Sequence, residues 1–362
     1  MMSPAGNVCE IRASEQSLMT VQRAVVLGST GSIGRNALDV LAGLNGEWRV
    51  AGLAAGSRAA ELAAQANRFR PDAVAIVQDD LVSDLQAALD YKPRVFAGPD
   101  ALVDLVSAVD CECAVCGVVG AAGLKAALRA VERGKRIALA SKEVPVVAGS
   151  LLMPLARRTR AEIIPVDSEH SAIFQAFQAG RREDVRKVYL TSSGGPLRTW
   201  SAEAMQTVAL ADALDHPIWD MGPKISIDSA TMMNKALEIV EARWLFDLDP
   251  DQIEVVIHPE SIIHSLVEFL DGSMIAQLGT PDMRTPIQYA LTYPKRRPCP
   301  SPPLDLCRTG KLSFHAPDEA KFPALRLGHE VARRGGTCGA VEVGEASEIS
   351  GQTFAVVGIR SV

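Results

Sequence analysis

Two short segments of this 362-residue chain carry carboxylates at spacings that suit a divalent cation. Asp167 and Glu169 follow an apolar run, and residues two apart in an extended segment point the same way. Glu238 lies in a predicted helix, four residues after Asn234 and three after Lys235, so the three share one face. Carboxylate oxygens are ligands that Mg²⁺ and Mn²⁺ prefer. The three acids are therefore candidate ligands, although exposed turn charges and a surface Lys–Glu pair would show the same spacing.

Two further segments have the composition of anion-binding loops. Residues 191–196 and 226–229 present hydroxyls and backbone N–H groups with few bulky side chains, as loops that hold a phosphate do. Between them, residues 216–222 place His216 and the large ring of Trp219 between predicted turns, which suits a mobile lid. Ordinary polar turns and a buried structural tryptophan are the alternatives.

A glycine-rich turn, residues 28–34, separates the first predicted strand from the first predicted helix. Its glycines would let the backbone approach a pyrophosphate, which the N–H groups at the helix N-terminus would bind. The spacing is GxxGxxG rather than GxGxxG, so a purely structural turn is the alternative. The position of the turn, at the start of alternating strands and helices, favours a dinucleotide site.

The end of the second predicted strand bears on the choice of dinucleotide. NAD-binding proteins usually carry an acid there, which binds the ribose 2′-hydroxyl. This chain has Gly56, Ser57 and Arg58 instead, and a hydroxyl beside a cation suits a 2′-phosphate. We therefore predict NADP(H); a solvated residue at a helix start is the alternative for Arg58.

The elements that must position these residues predict an α/β protein of about two domains. Residues 23–150 predict a doubly wound, Rossmann-like parallel sheet, with strands at 24–27, 48–54, 73–76, 114–118 and 136–140 and helices at 35–41 and 59–69. Residues 151–293 predict an α+β catalytic and dimerisation domain, with strands at 188–191, 225–227, 255–257 and 273–277 and a helix at 230–245. Residues 1–22 suggest a disordered extension with an alternative start at Met19, 294–340 a proline-rich strap and the start of a C-terminal region, and 341–362 a divergent tail.

Composition excludes several classes of function. The net charge of −6 provides no basic field for nucleic acid or anionic lipid. The longest apolar stretch, residues 114–124, is too short to span a bilayer. Cys111, Cys113 and Cys116 have no second pair at zinc-site spacing, which indicates buried, reduced thiols and a cytoplasmic protein.

Taken in order, several motifs between about residues 24 and 340 resemble one enzyme family, the 1-deoxy-D-xylulose 5-phosphate reductoisomerases. The resemblance implies an enzyme that uses NADPH and Mg²⁺ or Mn²⁺ to convert that phosphorylated sugar into 2-C-methyl-D-erythritol 4-phosphate, and a homodimer with the strand of His258 and His264 near its contact. The motifs are the glycine-rich turn, residues 140–143, 165–170, 193–196, 216–217, 228–235, 258–261 and 277–284.

The resemblance also implies roles for individual residues. Asp167, Glu169 and Glu238 would hold the metal. Ser193, Ser229, Asn234 and Lys235 would bind the phosphate, and Ser168 and His216 the sugar. The NADPH site would comprise Thr30, Gly31, Ser32, Ile33, Ser141 and Glu143, to which we add Gly56, Ser57, Arg58, Gly222 and Met283. Lys142, Glu169 and His216 are the expected catalytic residues, with Lys142 touching both ligands.

Three departures from the family pattern qualify this expectation. Pro145 stands where an aliphatic residue is usual, and Pro223, beside the lid, is expected to stiffen its hinge. From residue 341 the tail lacks the expected Asn-Ala-Ala-Asn-Glu-like stretch, which predicts that most of a C-terminal helical domain is missing, as in a truncated or frameshifted product.

The alternative functions are those of an inactive relative that at most binds NADPH, and of another NADP-dependent oxidoreductase. An aspartate-semialdehyde-type dehydrogenase would need a nucleophilic cysteine, and residues 151–298 contain none.

Overall fold

The computed structural model describes residues 21–44, 46–219 and 222–336. Nearly all of the predicted N-terminal extension, with Met19, lies outside the described residues, as do Met221 and the predicted tail 341–362.

A seven-stranded parallel sheet forms the first half of the chain, in the order β4-β3-β2-β1-β5-β6-β7. The strand order reverses between β1 and β5, and in such sheets a crevice for a dinucleotide opens at the carboxyl ends of the strands at this point. The strands are β1 Gln22–Leu27, β2 Trp48–Ala55, β3 Ala73–Ile76, β4 Arg94–Ala97, β5 Cys113–Cys116, β6 Arg136–Leu139 and β7 Ile163–Pro165. The helices are α1 Ser32–Gly43, α2 Ala59–Phe69, α3 Val82–Ala88, α4 Ala101–Ala108, α5 Leu124–Glu132 and α6 Glu143–Thr159.

The central strands are buried because helices cover both faces of the sheet. Residues 24–27 of β1 and all of β3 and β5 are buried, so their sequences are continuous apolar runs. β4 differs, since it lies at the sheet edge and is partly exposed. The sheet also continues past residue 150, because β7 pairs with β6.

A second, mixed sheet has the order β11-β10-β8-β9. β8 pairs in parallel with β9 and antiparallel with β10, which pairs antiparallel with β11. The strands are β8 Val185–Ser192, β9 Ile253–Ile257, β10 Ile263–Phe269 and β11 Met274–Leu278. The helices are α7 Ser168–Ala176, α8 Ala202–Met205, α9 Leu210–Leu214, α10 Pro223–Ala230, α11 Met233–Phe246, α12 Arg284–Thr292, α13 Leu306–Thr309 and α14 Ala324–Arg334.

Helix α11 connects the two halves, because it packs against α6, α14 and the second sheet. Two glycines allow the close contacts. A Cβ at Gly149 of α6 would lie 2.3 Å from the Trp244 ring, and one at Gly328 of α14 would lie 2.7 Å from the Cα of Ala236. The side chains of α11 are therefore held from several sides.

The structure confirms an α/β fold with a parallel sheet followed by a mixed sheet, but the strand predicted at 225–227 is wrong. These residues lie inside α10, whose first residue is Pro223. Proline suits a first helical position because its fixed φ is already helical and its missing N–H is not needed there. Pro145 likewise lies in the first turn of α6. In the described part of the chain, no helix is long and apolar enough to cross a membrane.

Candidate active site

A cavity of ≈ 170 Å³ collects most of the predicted site residues from both halves of the chain. Its lining draws on α1, on residues next to α6 and β7, on the loop after β8, and on α10 and α11. The predicted residues that line it are Ser32, Ile33, Lys142, Asp167, Ser168, Glu169, Ser193, His216, Gly222, Ser229, Asn234, Lys235, Glu238 and Met283.

Asp167, Glu169 and Glu238, here called the acid cluster, meet where β7 ends and α11 passes. The spacing predicted that Asp167 and Glu169 lie on one extended segment, but the segment is extended only in part. Asp167 has extended dihedrals at the N-cap of α7, and Glu169 lies in the first turn of that helix. Glu238 is fully buried in α11.

Two lysines lie among the acids. The Nζ of Lys142 lies 3.2 Å from Asp167 Oδ2 and 3.3 Å from Glu238 Oε1, and it donates to Asn234 Oδ1 at 2.7 Å. The Nζ of Lys235 donates to Glu169 Oε1 at 2.8 Å and also to Glu238 Oε2. Burial alone would lower the pKa of each lysine, but the surrounding carboxylates raise both, so both ammonium groups are charged.

The pKa values of the acids diverge with their contacts. Burial tends to raise the pKa of Asp167, but Lys142 and His170 lower it well below its usual range. Burial also tends to raise the pKa of Glu169, but the nearby Lys235 outweighs this effect, so the pKa of Glu169 is lowered too. Burial and the Glu169 charge instead raise the pKa of Glu238. A divalent cation beside these acids would offset the repulsion that raises it.

The oxygens of the acid cluster fit Mg²⁺ or Mn²⁺ by their chemistry, and His170 is the competing donor nearby. One ligand atom each of Asp167, His170 and Glu238 lies within 4.8 Å of the others. Both ring nitrogens of His170 face acceptors, Nδ1 at 3.2 Å from Asp167 Oδ2 and Nε2 at 3.0 Å from the Glu238 carbonyl oxygen. Burial would lower the pKa of His170, but Glu241 and Asp167 raise it to about 9. Because Mg²⁺ and Mn²⁺ prefer carboxylate oxygens to imidazole nitrogen, the carboxylates are the better ligands.

The loop after β8 packs directly on the end of α10. Gly194 and Gly195 have φ of +82° and +69°, a conformation that favours glycine. A Cβ at Gly195 would lie 2.5 Å from the carbonyl oxygen of Ser229, so only a glycine allows this approach. Ser193 and Ser229 both line the cavity, as Lys235 does.

The described part of the predicted lid, residues 216–219, is called the lid turn. His216 Nδ1 accepts from the backbone N–H groups of Ile218 at 3.2 Å and Trp219 at 2.9 Å. The proton of the neutral ring therefore lies on Nε2, which is 3.0 Å from Ser193 Oγ. Burial lowers the pKa of His216, which favours this neutral form.

The glycine-rich turn is shaped for close approach of a ligand to the backbone. Gly28 has φ +78°, and a Cβ there would lie 2.8 Å from the carbonyl oxygen of Gly117, which follows β5. Gly31 is the N-cap of α1 and has no side chain to cap the first N–H groups. The exposed Arg58 lies beside this turn and donates to the Thr30 carbonyl oxygen at 2.8 Å, while Gly56 and Ser57 are exposed after β2.

Of the predicted cofactor residues, Thr30, Gly31, Gly56, Ser57 and Arg58 lie at or beside the glycine-rich turn and do not line the cavity, and neither do Ser141 and Glu143. The hydroxyl of Ser141 bonds to the carbonyl oxygens of Cys116 and Val118. The carboxylate of Glu143 accepts from Lys224 at 2.7 Å. Both side chains are buried, so they support the wall of the cavity.

Sequence reasoning assigned no site role to several residues at or beside the cavity. Ser261 and His264 line it, and Trp219 and His264 place their ring centroids 6.5 Å apart. His170 contacts Asp167, and Glu241 lies beside His170. The spacing of Glu238 and Glu241, one turn apart in α11, is the signal that could have pointed to Glu241.

Comparison with known proteins identifies the family. The chain is 49% identical over 330 residues to the 1-deoxy-D-xylulose 5-phosphate reductoisomerase of Pelodictyon phaeoclathratiforme, covering 91% of this chain and 86% of that protein. The chain belongs to the 1-deoxy-D-xylulose 5-phosphate reductoisomerase family. The model of that family's first domain matches residues 24–149, and models of its C-terminal domains match residues 163–246 and 278–360.

Solved structures of reductoisomerases have the same fold. One, described as a complex with NADPH, fosmidomycin and magnesium, has a TM-score of 0.87 at 42% identity and covers 93% of this chain and 85% of that one. Another, from Zymomonas mobilis in complex with NADPH, has a TM-score of 0.84 at 39% identity and covers 92% of each chain.

The family comparison corrects the expectation for the C-terminal region. The prediction that the family pattern ends near residue 340, with most of a C-terminal domain missing, is wrong, because a C-terminal family model matches residues 278–360. The prediction depended on one missing motif, whereas the match begins at residue 278 and takes in α12, the proline-rich strap and α14.

Proposed function

We propose that this chain is an NADPH- and metal-dependent reductoisomerase that converts 1-deoxy-D-xylulose 5-phosphate into 2-C-methyl-D-erythritol 4-phosphate. The observation that carries the proposal is the single cavity shared by the acid cluster, the serines at the ends of β8 and α10, and the first residues of α1. A ketose phosphate, a cation and a nicotinamide ring must meet for this reaction. Family membership and the fold provide independent support.

The acid cluster would hold Mg²⁺ or Mn²⁺. When bound, the cation supplies Lewis-acid polarisation of the ketone and its neighbouring hydroxyl, which allows the carbon skeleton to rearrange. Lys142 reaches Asp167, Asn234 and Glu238, so its ammonium group would orient the acids, and it would contact both the substrate and the cofactor. Ser168 donates to Glu169 Oε2 at 2.5 Å and steadies that carboxylate.

The substrate phosphate would lie against Ser193, Ser229, Asn234 and Lys235. Hydroxyl, amide and ammonium donors converge there, and the ammonium provides the charge that a dianion needs. Lys235 Nζ also donates to Glu169 and Glu238, and Asn234 Nδ2 donates to Glu238 Oε1 at 2.6 Å, so this site adjoins the acid cluster. Binding energy from the phosphate is thus available to align the reacting end of the sugar.

NADPH would bind along the glycine-rich turn, with its pyrophosphate at the N-terminus of α1 and its 2′-phosphate near Ser57 and Arg58. When bound, it supplies the hydride that reduces the rearranged aldehyde. Ile33 and Met283 line the cavity on this side and would pack against the nicotinamide ring.

The lid turn would cover the bound sugar. His216 is held by backbone N–H groups of the turn and contacts Ser193, so lid position and phosphate binding share one hydrogen-bonded chain. Trp219 lines the cavity and would exclude water from the reactive aldehyde.

Homodimer formation and a cytoplasmic location belong to the same proposal. Met274, Ile275 and Leu278 of β11 are exposed at the edge of the second sheet, and Leu270 just before it is 67% exposed. An apolar edge strand is a surface that pairing with a second copy would bury. Sedimentation velocity is expected to give a dimer; a monomer at micromolar concentration would contradict this part.

The free thiols among the described cysteines support the cytoplasmic location.

The test is oxidation of NADPH by purified protein supplied with 1-deoxy-D-xylulose 5-phosphate and Mg²⁺ or Mn²⁺, with the product identified by NMR. We expect turnover that EDTA abolishes and added metal restores. A folded sample that binds NADPH but does not turn over would contradict the proposal and favour an inactive relative. Turnover of a semialdehyde instead would favour a different oxidoreductase.

A further inference from the structure

Glu241 is a buried carboxylate that the proposed reaction does not use. It lies one helical turn after Glu238 in α11, and its side chain is 1% exposed. Neither of its carboxylate oxygens has a hydrogen-bond partner within the described part of the chain. A buried carboxyl group without a hydrogen bond is costly, so the groups packed around it decide what it can do.

The polar side chain that lies beside Glu241 is His170. The Nδ1 atom of His170 lies 3.7 Å from Glu241 Oε2, within ion-pair distance, and the ring is fully buried. Other contacts fix the ring in place. Its Nε2 faces the Glu238 carbonyl oxygen at 3.0 Å, and its plane stacks on Phe246 with 6.2 Å between ring centroids. Three residues of α11 thus position one imidazole.

The ring in turn contacts an acid-cluster residue. His170 Nδ1 lies 3.2 Å from Asp167 Oδ2, and Lys142 Nζ lies at the same distance from the same oxygen. Because both contacts fall on Oδ2, they set the rotation of the whole Asp167 carboxylate. A ring displaced from this position would release Asp167 to rotate.

We infer that Glu241 is a positioning residue, whose carboxylate holds the His170 ring against Asp167 and so fixes how Asp167 faces the divalent cation. The inference rests on the proposed function, because it assigns Asp167 to that cation. The inference adds a chain of contacts from Glu241 through His170 to Asp167. Of these three residues, only Asp167 lines the cavity. Such outer partners of metal ligands commonly change metal affinity by about 10- to 100-fold.

The experiment measures Mn²⁺ affinity from the EPR signal of free Mn²⁺, using NADPH-saturated wild type, Glu241→Gln, His170→Gln and the double variant. We expect Glu241→Gln and His170→Gln each to weaken Mn²⁺ binding by about 10-fold or more. The double variant is expected to bind no more weakly than the weaker single variant, because both act through one contact. The dissociation constant for NADPH should stay within about twofold of wild type in all three variants.

Glu132→Gln, on the surface of α5 beside Arg129, is the matched control and should leave Mn²⁺ binding unchanged. Mn²⁺ affinity equal to wild type in Glu241→Gln would overturn the inference, and so would losses that multiply in the double variant. Should Glu241→Gln not melt cooperatively, Glu241→Asp keeps the carboxyl group but withdraws it from His170; unchanged Mn²⁺ affinity in that variant would also overturn the inference. Wild type that binds no Mn²⁺ would overturn the proposed function as well, which separates the two failures.

Discussion

The glycine-rich turn after β1 is built from backbone, whereas the acid cluster beside α11 is built from charged side chains. In the turn, missing side chains create the space, and Cβ atoms at Gly28 and Gly34 would collide with main-chain atoms. In the acid cluster, the helices α6, α7 and α11, with their N-caps, supply carboxylates and ammonium groups that neutralise one another. The turn should therefore fail when an atom is added, and the cluster when one charge is removed.

The largest expected effect is on the acid cluster. Glu238→Gln keeps the shape of the side chain but removes the charge that both Lys142 and Lys235 contact. We expect kcat/KM to fall by more than about 100-fold, because mutation of a residue that only contacts a metal ligand already lowers activity by up to about 100-fold. Steady-state assays of NADPH oxidation at saturating Mg²⁺ measure it, with Glu132→Gln as the unaffected control. Turnover within about threefold of wild type would remove Glu238 from the ligand set.

The corresponding change in the turn is Gly34→Ala. Its Cβ would lie 2.3 Å from the Gly28 carbonyl oxygen and 2.4 Å from the Cα of Ser29, and backbone atoms cannot move aside as a flexible side chain can. We expect a loss of about 3 kcal/mol in the free energy of unfolding, together with weaker NADPH binding. Urea denaturation and fluorescence titration with NADPH provide the two measurements.

Gly43→Ala is the matched control for this prediction. Gly43 is the last residue of the same helix α1, and a Cβ there meets nothing within 4 Å. Alanine replaces glycine in a helix favourably, so the variant should equal wild type or gain up to about 1 kcal/mol. Equal stability of the Gly34 and Gly43 variants would show that the turn can relax.

The same contrast explains what could be predicted from the sequence. The α2 helix and β3 have the bounds predicted, because buried parallel strands are continuous apolar runs flanked by amphipathic helices. The edge strand β4 escaped prediction because its run is short and partly exposed. The strand predicted at 225–227 is wrong because the prediction used the local β-branched residues and overlooked Pro223, which begins a helix.

The candidate site divides in the same way. Spacing identified the acids of the cluster, although Asp167 and Glu169 straddle a helix start and do not share one extended segment. No local pattern could show that Lys142 reaches an asparagine 92 residues away, or that Glu241 lies beside His170. Those contacts depend on how α6, α7 and α11 pack.

A smaller effect is expected at Arg58, which tests whether side chains refine the backbone-built turn. Arg58→Ala should weaken NADPH binding about tenfold, corresponding to the roughly 1.5 kcal/mol of a charged hydrogen bond, and leave NADH binding nearly unchanged. Arg70→Ala, just past the other end of α2, is the matched control because its guanidinium pairs with Asp90 at the surface. Equal losses for NADPH and NADH would assign Arg58 a general electrostatic role.

The smallest effect concerns the lid turn, where backbone and side chain act together. His216 accepts two backbone N–H groups at Nδ1, and burial lowers its pKa below the ordinary 6.5. A proton at Nδ1 would face both N–H groups, so the closed turn is fully stable above about pH 6.5 and loses stability as the pH falls through the lowered pKa. The fluorescence of Trp219 is obtained as the difference between wild type and Trp219→Phe. As the pH drops from about 7.5 to about 5, this fluorescence should change, but by a few-fold less than it changes when the whole protein unfolds. His216→Gln lacks the titrating ring and should show no such step. A step that persists in that variant would assign the pH response to another group and leave the lid turn as a purely backbone structure, like the glycine-rich turn.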